Sequence, residues 1–432
     1  MNALIYTLGV VAFVIGVAIS IGLHEAGHMY PAKKFGVKVT QFFVGFGTTI
    51  WSFKRGETEY GIKAFPLGGY VKLVGMLPPA KTDDPTEVRA TNTGLFTQLV
   101  ADARHAEYEH VTEADRERLF YRKPWWQKLV VMAGGPMVNV AIAVVLFSIV
   151  IMGFGLQQPT TTVNAVSDCA ISDAEAGRAC TDADPVTPAK QAGLQPGDEF
   201  VSFNGTEVTS WEQLTKLIRS NGDREADIVV ERDGRQVEAS VATSVIARAS
   251  LDDPERVEQV GFLGVEPVQA YVRHGPGTVA EVMGDYASAT LNVILHLPQR
   301  MVDVTKAAFG AERKPDGPIS VVGASRVAGE LVTIDEPTWG ERASRLLTLL
   351  ASLNLFLALF NFIPLLPLDG GHIAGALWEA ARRGWARLRG SPDPGYVDIA
   401  RMLPVAYGVG ALLLVMGVIL IYADIVNPVR LS

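Results

Sequence analysis

Two histidines one helical turn apart, with a glutamate beside the first, are the residues of this sequence best suited to chemistry. His24 and His28 stand at positions i and i+4, so both imidazoles would project from one face of a helix and could bind the same metal ion. Glu25 lies next to them, free to act as a base. Because this spacing also occurs by chance, two surface histidines with a solvated glutamate are the simpler alternative.

The surroundings of this motif favour a metal site. The motif follows Ala3–Leu23, a stretch without a charged residue, and a helix needs about 20 apolar residues to cross a bilayer. An ionisable residue in the middle of a membrane helix costs roughly 2.5–3.5 kcal/mol and tends to persist only for a function. A metal site accounts for three polar residues at this place together.

A third ligand is required, because a catalytic zinc ion usually has three protein ligands and one open position for water. Leu346–Leu368 is uncharged and ends at Asp369, the one carboxylate at that membrane edge. We expect the prolines before Asp369 to unwind the helix end, and Gly370 and Gly371 to turn the backbone so that the carboxylate points inward. A helix-terminating aspartate is the alternative. His372 is a second candidate ligand, but the chain would have to double back.

Four uncharged stretches predict four membrane-spanning helices; the remaining two are Leu129–Gln157 and Met402–Tyr422. Basic residues gather after the first stretch, before the second and between the last two, which makes these three regions cytoplasmic by the positive-inside rule. Both termini and the long segment between spans two and three are then outside. This topology brings His24, His28 and Asp369 to the same leaflet.

Three regions outside these spans have patterns of their own. Val37–Met76 is rich in aromatic and β-branched residues, is broken by glycines and has a charged turn at Lys54–Glu57, which predicts a β-hairpin or small sheet against the bilayer. Thr161–Val245 alternates short strands and turns and predicts a small β-rich domain with one or two helices. Pro276–Phe309 is amphipathic, as is typical of a surface helix that leans on the bilayer.

Composition adds two expectations. The formal net charge is −8, and no basic patch is interleaved with aromatic residues, which argues against nucleic acid as a partner. Cys169 and Cys180 are the two cysteines of the chain. Both fall in the segment assigned to the outside, where a short-loop disulfide would persist. Two unpaired thiols are the alternative.

The motifs and their order resemble the site-2 proteases, which are intramembrane zinc metalloproteases, and in particular the bacterial RseP-like members. HEAGH at 24–28 and LDGGH at 368–372 follow the first and third spans. Further matches are Pro66–Lys72 in the hairpin, Gly135–Asn139 in the second span and Gly317–Ile319 before the third. The GLQPGD run at 193–198 is similar to one PDZ domain.

Together, these patterns predict a polytopic α-helical membrane protein with four transmembrane helices, a membrane-associated β-hairpin or sheet and an inserted extracytoplasmic β-rich PDZ domain. The expected divisions are the first transmembrane helix at 1–36, the hairpin at 37–76, a cytoplasmic loop at 77–127, the second helix at 128–157, the PDZ-like domain at 158–248, a linker with amphipathic helices at 249–343, the third helix at 344–377, a cytoplasmic loop at 378–401, and the fourth helix with the C-terminus at 402–432.

The resemblance implies hydrolysis of peptide bonds in or near the transmembrane segment of single-pass membrane proteins, in the inner membrane of a bacterium. Such substrates are commonly anti-sigma factors or remnant signal peptides, cut in regulated intramembrane proteolysis after a first protease has shortened them. One Zn²⁺ per chain is implied. The residues implied for the site are His24, His28 and Asp369 as zinc ligands, Glu25 as the catalytic base, and Asn361, Gly68 and Gly69 as substrate-binding residues.

Several alternatives remain open at this point. Asn361 could instead hydrogen-bond the backbone freed near Pro364, and the PDZ-like domain could either bind peptide at its sheet edge or exclude bulky substrates by size. Intramembrane His and Asp residues also occur in metal transporters. A scaffold that binds membrane proteins without catalysis would tolerate the loss of Glu25. We further expect an unwound substrate to pair as an added strand with the edge of the hairpin at 37–76.

Overall fold

The computed structural model describes residues 2–78, 111–172, 178–181, 183–251, 256–311, 313, 317–334 and 337–429. These residues form two compact units, one from Met1–Phe154 with His274–Ser432 and the other from Gly155–Arg273. Most of the cytoplasmic loop expected at 77–127 lies outside the described residues. Among the described helices, four are long and apolar enough to cross a membrane: Ala3–Lys34, Trp125–Phe154, Trp339–Asn361 and Ile399–Val426.

The first unit begins with the helix α1 (Asn2–Lys34), which continues beyond the uncharged stretch and carries the HEAGH motif in its last third. Two long antiparallel strands follow, β1 (Val39–Arg55) and β2 (Thr58–Leu73), with the predicted charged turn between them. Gly56 in this turn has a φ of +62°, a conformation that glycine adopts without a Cβ clash.

Both strands bend, so that the hairpin forms a small sheet of four segments. Residues 58–62 pair with 51–55 on one side and with 41–44 on the other, and 41–44 in turn pair with 69–72. Residues 69–73 are therefore an edge of this sheet, and β2 packs against α1. The hairpin thus brings a strand edge next to the helix that carries the HEAGH motif.

The helix α2 (Trp125–Ser148) continues into one π-helical segment, Ile149–Phe154, and packs closely on α1. A Cβ atom on Gly134 would lie 2.0 Å from the carbonyl oxygen of Gly27, and a Cβ on Gly27 would lie 2.5 Å from that of Gly134. Small residues at a helix crossing let the two backbones approach each other in a membrane. This crossing lies beside the predicted metal ligands of α1.

The second unit is rich in β-strands. Its elements are β3 (Leu156–Val166), α3 (Pro188–Gln191), β4 (Glu199–Phe203), β5 (Thr206–Glu207), α4 (Trp211–Ser220), β6 (Glu225–Arg232), β7 (Arg235–Ala242), β8 (Ser244–Ala249), β9 (Val257–Phe262) and β10 (Val265–Val272). An antiparallel sheet has the order β10-β3-β4-β6-β7, and β8 pairs with β9. Alternate residues of the strands, such as Phe200 and Ile228, enter a core with Leu214 of α4. Cys169 and Cys180 form a disulfide.

This unit is longer than the range expected at 158–248. The last strand, β10, pairs with β3 from Leu156 to Val166, so the two ends of the unit lie next to each other in one sheet. The strands β9 and β10 fall in the range 249–343, where a linker and amphipathic helices were expected. Strand pairing between residues about a hundred positions apart does not depend on local sequence, which is why the pattern of the chain placed the boundary too early.

Among the described residues, the first unit resumes with six α-helices: α5 (Pro276–Leu295), α6 (Leu297–Ala308), α7 (Val321–Leu331), α8 (Trp339–Asn361), α9 (Asp369–Leu388) and α10 (Leu403–Val426). A short 3-10 helix, Ile399–Met402, precedes α10. A capping box begins α8, in which Thr338 and Glu341 each bind the backbone N–H of the other. The range 344–377, expected to hold the third transmembrane helix and the LDGGH motif, contains parts of two helices, because α8 ends at Asn361 and α9 begins at Asp369. Pro364 and Pro367 lie in the break, where proline removes a backbone donor.

Candidate metal centre

Three side chains from two distant parts of the chain meet at one point. The Nε2 atoms of His24 and His28 each lie 3.4 Å from Oδ2 of Asp369, and the two Nε2 atoms are 3.3 Å apart. Their candidate ligand atoms all lie within 4.8 Å of one another. The i,i+4 spacing accounts for the two histidines, while the packing of α9 against α2 brings in the carboxylate.

The second ring nitrogen of His28 is held in place. Its Nδ1 lies 2.8 Å from the carbonyl oxygen of Val131 on α2, a contact that is a hydrogen bond when Nδ1 carries the proton. That tautomer leaves the lone pair of Nε2 directed at Asp369 and free for a metal ion. The hydrogen bond therefore orients one ligand from a neighbouring helix.

The donor set fits a zinc ion. Two imidazole nitrogens and one carboxylate are the ligands of a catalytic zinc site that keeps one position open. The backbone of α2 passes directly over them, because a Cβ atom on Gly135 would lie 2.3 Å from Nε2 of His28 and 2.8 Å from Nε2 of His24. The absence of a side chain at Gly135 therefore leaves room for the two imidazole rings.

A cavity of about 440 Å³ opens from these atoms. Its lining residues are Ser20, Ile21, His24, Glu25, His28, Gly68, Gly69, Tyr70, Val71, Leu73, Met76, Met132, Asn139, Leu357, Asn361, Pro367, Asp369 and His372. All seven site residues predicted from the sequence are among them. Two segments that are separated by about 300 residues, the sheet edge and the end of α8, thus face one space.

Glu25 lies against the edge of the sheet. The backbone N–H of Val71 faces its carboxylate, and a Cβ atom on Gly69 would lie 2.9 Å from Cγ of Glu25. Gly68 has a φ of +110°, which an L-residue with a side chain rarely adopts. The two glycines therefore allow the strand edge to pass close to the predicted base.

The geometry around Asp369 differs from the expectation in two respects. Gly370 and Gly371 do not form a turn; they belong to the first turn of α9. A Cβ atom on Gly370 would lie 2.1 Å from the carbonyl oxygen of Ile363, so close approach explains the glycine. His372 reaches the cavity without any doubling back, because it stands one helical turn after Asp369, but it is not among the three clustered ligands.

Three buried polar residues around this site had no role in the sequence prediction. Ser20 accepts a hydrogen bond of 3.0 Å from Nδ2 of Asn354 on α8, and Ser20 and Asn139 line the cavity. Asn139 is 1% exposed, and its Oδ1 has no hydrogen-bond partner among the described residues. A polar residue inside an apolar span is a sequence signal for such a role. Asn139 was noted only as part of the motif Gly135–Asn139.

Comparisons with known proteins agree with this geometry. Residues 12–391 match Peptidase family M50. Zinc metalloprotease Rip1 of Mycobacterium tuberculosis is 34% identical over 453 aligned positions, which cover 99% of this chain and 100% of the relative. Rip1 of Mycolicibacterium smegmatis is 32% identical over 99% of this chain and 100% of the relative. Metalloprotease MmpA of Caulobacter vibrioides is 28% identical over 86% of each.

A converging His–His–Asp set, with both histidines on a helix apolar enough to cross a membrane, is typical of a metal-dependent hydrolase of the membrane. The chain belongs to Peptidase family M50, the site-2 proteases. It is a multi-pass membrane protein and a zinc metalloprotease with a Zn²⁺ cofactor, and its relatives support intramembrane proteolysis as its activity. The resemblance stated from the motifs is thereby confirmed, and the transporter alternative is excluded.

Proposed function

We propose that this chain hydrolyses peptide bonds in or near the transmembrane segment of single-pass membrane proteins. The observation that carries the proposal is the convergence of His24, His28 and Asp369 beside Glu25, with both histidines and the glutamate on a helix apolar enough to cross a membrane. A protease that acted on soluble substrates would gain nothing from a site at this depth, where each ionisable residue is costly.

In the proposed mechanism, His24, His28 and Asp369 hold one zinc ion. When bound, zinc supplies a Lewis acid that activates water and polarises the scissile carbonyl group. Glu25 takes a proton from the attacking water and returns it to the nitrogen of the leaving amine. The open edge beside Glu25, at Gly69, leaves room for an extended backbone to reach the carboxylate.

The substrate poses a separate problem, because a helical peptide bond is shielded by its own hydrogen bonds. An unwound segment would leave its backbone groups without partners in hydrocarbon, at a cost of several kcal/mol for each group. We propose that the sheet edge at 69–73 supplies replacement partners by strand addition, with Gly68 and Gly69 next to the substrate. The amide of Asn361 holds the substrate carbonyl or its developing negative charge.

The proposed orientation follows from the basic residues that flank the spans. Lys33 and Lys34 end α1, and five arginines lie between Asp369 and α10; both regions would be cytoplasmic. The metal centre then lies toward the cytoplasmic side of a bacterial inner membrane, and the unit Gly155–Arg273 lies outside. Water would reach the site from the cytoplasm.

We further propose that the unit Gly155–Arg273 is a PDZ domain. Its antiparallel sheet, two helices and single core support this assignment. In the proposed function it limits which substrates reach the site, either by size or by binding peptide at a sheet edge. Anti-sigma factors and remnant signal peptides, already shortened by another protease, are the proposed substrate classes, and the proposed bounds of the domain are those of the unit Gly155–Arg273.

The test compares the native chain with Glu25→Gln on a tagged single-pass membrane protein whose outer domain has been removed. We expect product formation by the variant to fall by about 10²–10⁴-fold, the usual loss when a general base is removed. Zinc content should be unchanged, because Glu25 is not a ligand. Equal product from both proteins would refute the mechanism and favour the scaffold alternative.

A further inference from the structure

The helix that carries Asp369 has a second, chemically different face. Asp369, His372, Ala376 and Glu379 of α9 point toward the metal centre and α2, at the spacing of one helix face. The opposite face presents Trp378, Arg382, Trp385 and Arg389, again spaced three or four residues apart. The two tryptophans are 60% and 59% exposed, so this face has no cover within the described protein.

A buried ion pair defines the depth of this second face. Nζ of Lys128, in the first turn of α2, lies 2.7 Å from Oε2 of Glu379, and their side chains are 8% and 3% exposed. The first turn of α2 is where that apolar span begins, so Glu379 stands at the same boundary. Residues one or two turns further along α9, from Arg382 to Arg389, are then expected at the level where hydrocarbon gives way to headgroups. Tryptophan is enriched at this level of a membrane.

The exposed face forms one wall of a groove of about 550 Å³. The other wall is the short segment Ser391–Pro394, which folds back along the helix. Arg382 donates a hydrogen bond of 3.1 Å to the carbonyl oxygen of Pro394, and the guanidinium of Arg389 lies 4.5 Å from the ring centre of Trp385. These contacts hold both cations at the mouth of the groove.

The charge of the groove is not neutralised from within. Neither Arg382 nor Arg389 pairs with a carboxylate among the residues that the structure describes. The one nearby acid, Asp393, is 3.4 Å from Nε of Arg383 and accepts a hydrogen bond from the N–H of Gly395, so it is engaged elsewhere. Two unneutralised guanidinium groups beside two indole rings match a ligand that has a phosphate next to an apolar body.

We propose that this groove binds an anionic phospholipid of the leaflet that lies at the metal centre's side of the membrane. The phosphate accepts hydrogen bonds from Arg382 and Arg389, and the glycerol and first methylenes of the acyl chains pack on Trp378 and Trp385. Such a lipid would clamp α9 from the face opposite to Asp369. It would thereby fix the depth and rotation of the helix that supplies the third zinc ligand.

The test measures lipid retention by the full-length chain purified from mixed micelles of phosphatidylglycerol and phosphatidylcholine. Bound lipids are quantified by mass spectrometry for the native chain, for Arg382→Gln with Arg389→Gln, and for Arg387→Gln with Arg401→Gln as the matched control. The control removes the same charge from side chains outside the groove. A second arm adds inorganic phosphate at millimolar concentration, and thermal unfolding checks that all three proteins are folded.

We expect the excess of phosphatidylglycerol over phosphatidylcholine to fall at least five-fold in the groove variant, to persist in the control and to resist inorganic phosphate. An equal excess in both variants would overturn the proposal, because general charge would then explain it. Complete displacement by inorganic phosphate would also overturn it, since the groove would then be a site for a soluble anion. Neither readout depends on proteolysis, so the outcome is independent of the proposed function.

Discussion

At the scale of single residues, the candidate metal centre depends on a missing side chain as well as on the ligands. A Cβ atom on Gly135 of α2 would lie within 3 Å of both imidazole rings, so the site has room only because this residue has no side chain. Val131, one turn earlier on the same helix, faces Nδ1 of His28 through its carbonyl oxygen. α2 therefore orients the ligands through its backbone, although it supplies none of them.

Gly135→Ala should lower the zinc content of the purified protein and abolish cleavage. The new methyl group would lie 2.3 Å from Nε2 of His28, so the imidazoles must rotate away from Asp369. Changes to groups that orient metal ligands typically reduce metal affinity by about 10–100-fold. Metal analysis after dialysis against a chelator measures the effect.

The matched control is Gly153→Ala, in the π-helical end of the same span, where a Cβ atom would meet nothing within 4 Å. This variant should keep its zinc. If Gly135→Ala also kept its full zinc content, the close passage of α2 over the imidazoles would not limit metal binding, and this prediction would be wrong.

At the scale of elements, the sheet edge and the broken helix pair decide what the site can accept. Residues 69–73 pair with β1 on one side, and on the other side they line the cavity. Between α8 and α9 the chain leaves the helical conformation for seven residues, so that Asn361 and Asp369 both reach the same cavity. Strand addition to this edge would put a substrate backbone between Val71 and the ligands.

Val71→Pro should reduce cleavage of every substrate while zinc content stays at the native level. Proline removes the backbone N–H that faces Glu25, and its ring obstructs the sheet edge to which a strand would add. The measurement is the initial rate of cleavage of several tagged substrates at equal enzyme concentration.

Val71→Ala, which removes the side chain but keeps the N–H, is the control and should remain active. Cleavage by Val71→Pro at the native rate would exclude strand addition at this position. A folding defect is distinguished by zinc content and thermal unfolding, which strand addition does not affect.

At the scale of the whole molecule, the chain combines a membrane unit with an inserted unit that has its own core. In the inserted unit, Asp198 is fully buried and is bound by Arg232 through Nε and Nη2 at 2.6 and 2.7 Å. Burial alone would raise the pKa of Asp198. The Arg232 guanidinium and the N–H of Gln195 outweigh it and lower the pKa below the ordinary value of an aspartate.

The segment 155–273 should fold by itself and lose stability in acid because of Asp198. Since the pKa of Asp198 is lower in the folded than in the unfolded state, the stabilisation that its carboxylate provides is present in full above the unfolded pKa of about 3.9. It is lost as the pH falls through the folded pKa. Urea unfolding followed by Trp211 fluorescence at neutral and acidic pH measures it.

In the same assay, Asp198→Asn should lower the free energy of unfolding of the segment by about 1–3 kcal/mol at neutral pH. This difference from the native segment should shrink in acid. Glu212→Gln, which removes an exposed acid paired with Lys216, should match the native segment at both pH values. A constant difference between Asp198→Asn and the native segment across this range would contradict the assigned pKa shift.

Much of this molecule follows from local sequence. The spans were predictable because a bilayer demands about 20 apolar residues, and the pairing of His24 with His28 follows from the period of a helix. The turn of the hairpin was predictable from the charged residues and the glycine of Lys54–Glu57. These properties depend on neighbours within a few positions, so sequence periodicity contains them. The choice of Asp369 came from a topology argument that two spans end at the same leaflet, which gives proximity but no distance.

Tertiary structure decided the rest. The 3.4 Å contacts of Asp369, the close passage of Gly135 and the edge position of 69–73 depend on how α1, α2, α9 and the sheet pack, and no local pattern encodes those distances. For the same reason, the pairing of β10 with β3 was missed, and the path by which His372 reaches the cavity was not foreseen. The sequence by itself determined which residues could form the site; only the packing of elements far apart in the chain determined that they meet, because the interactions that bring them together are non-local.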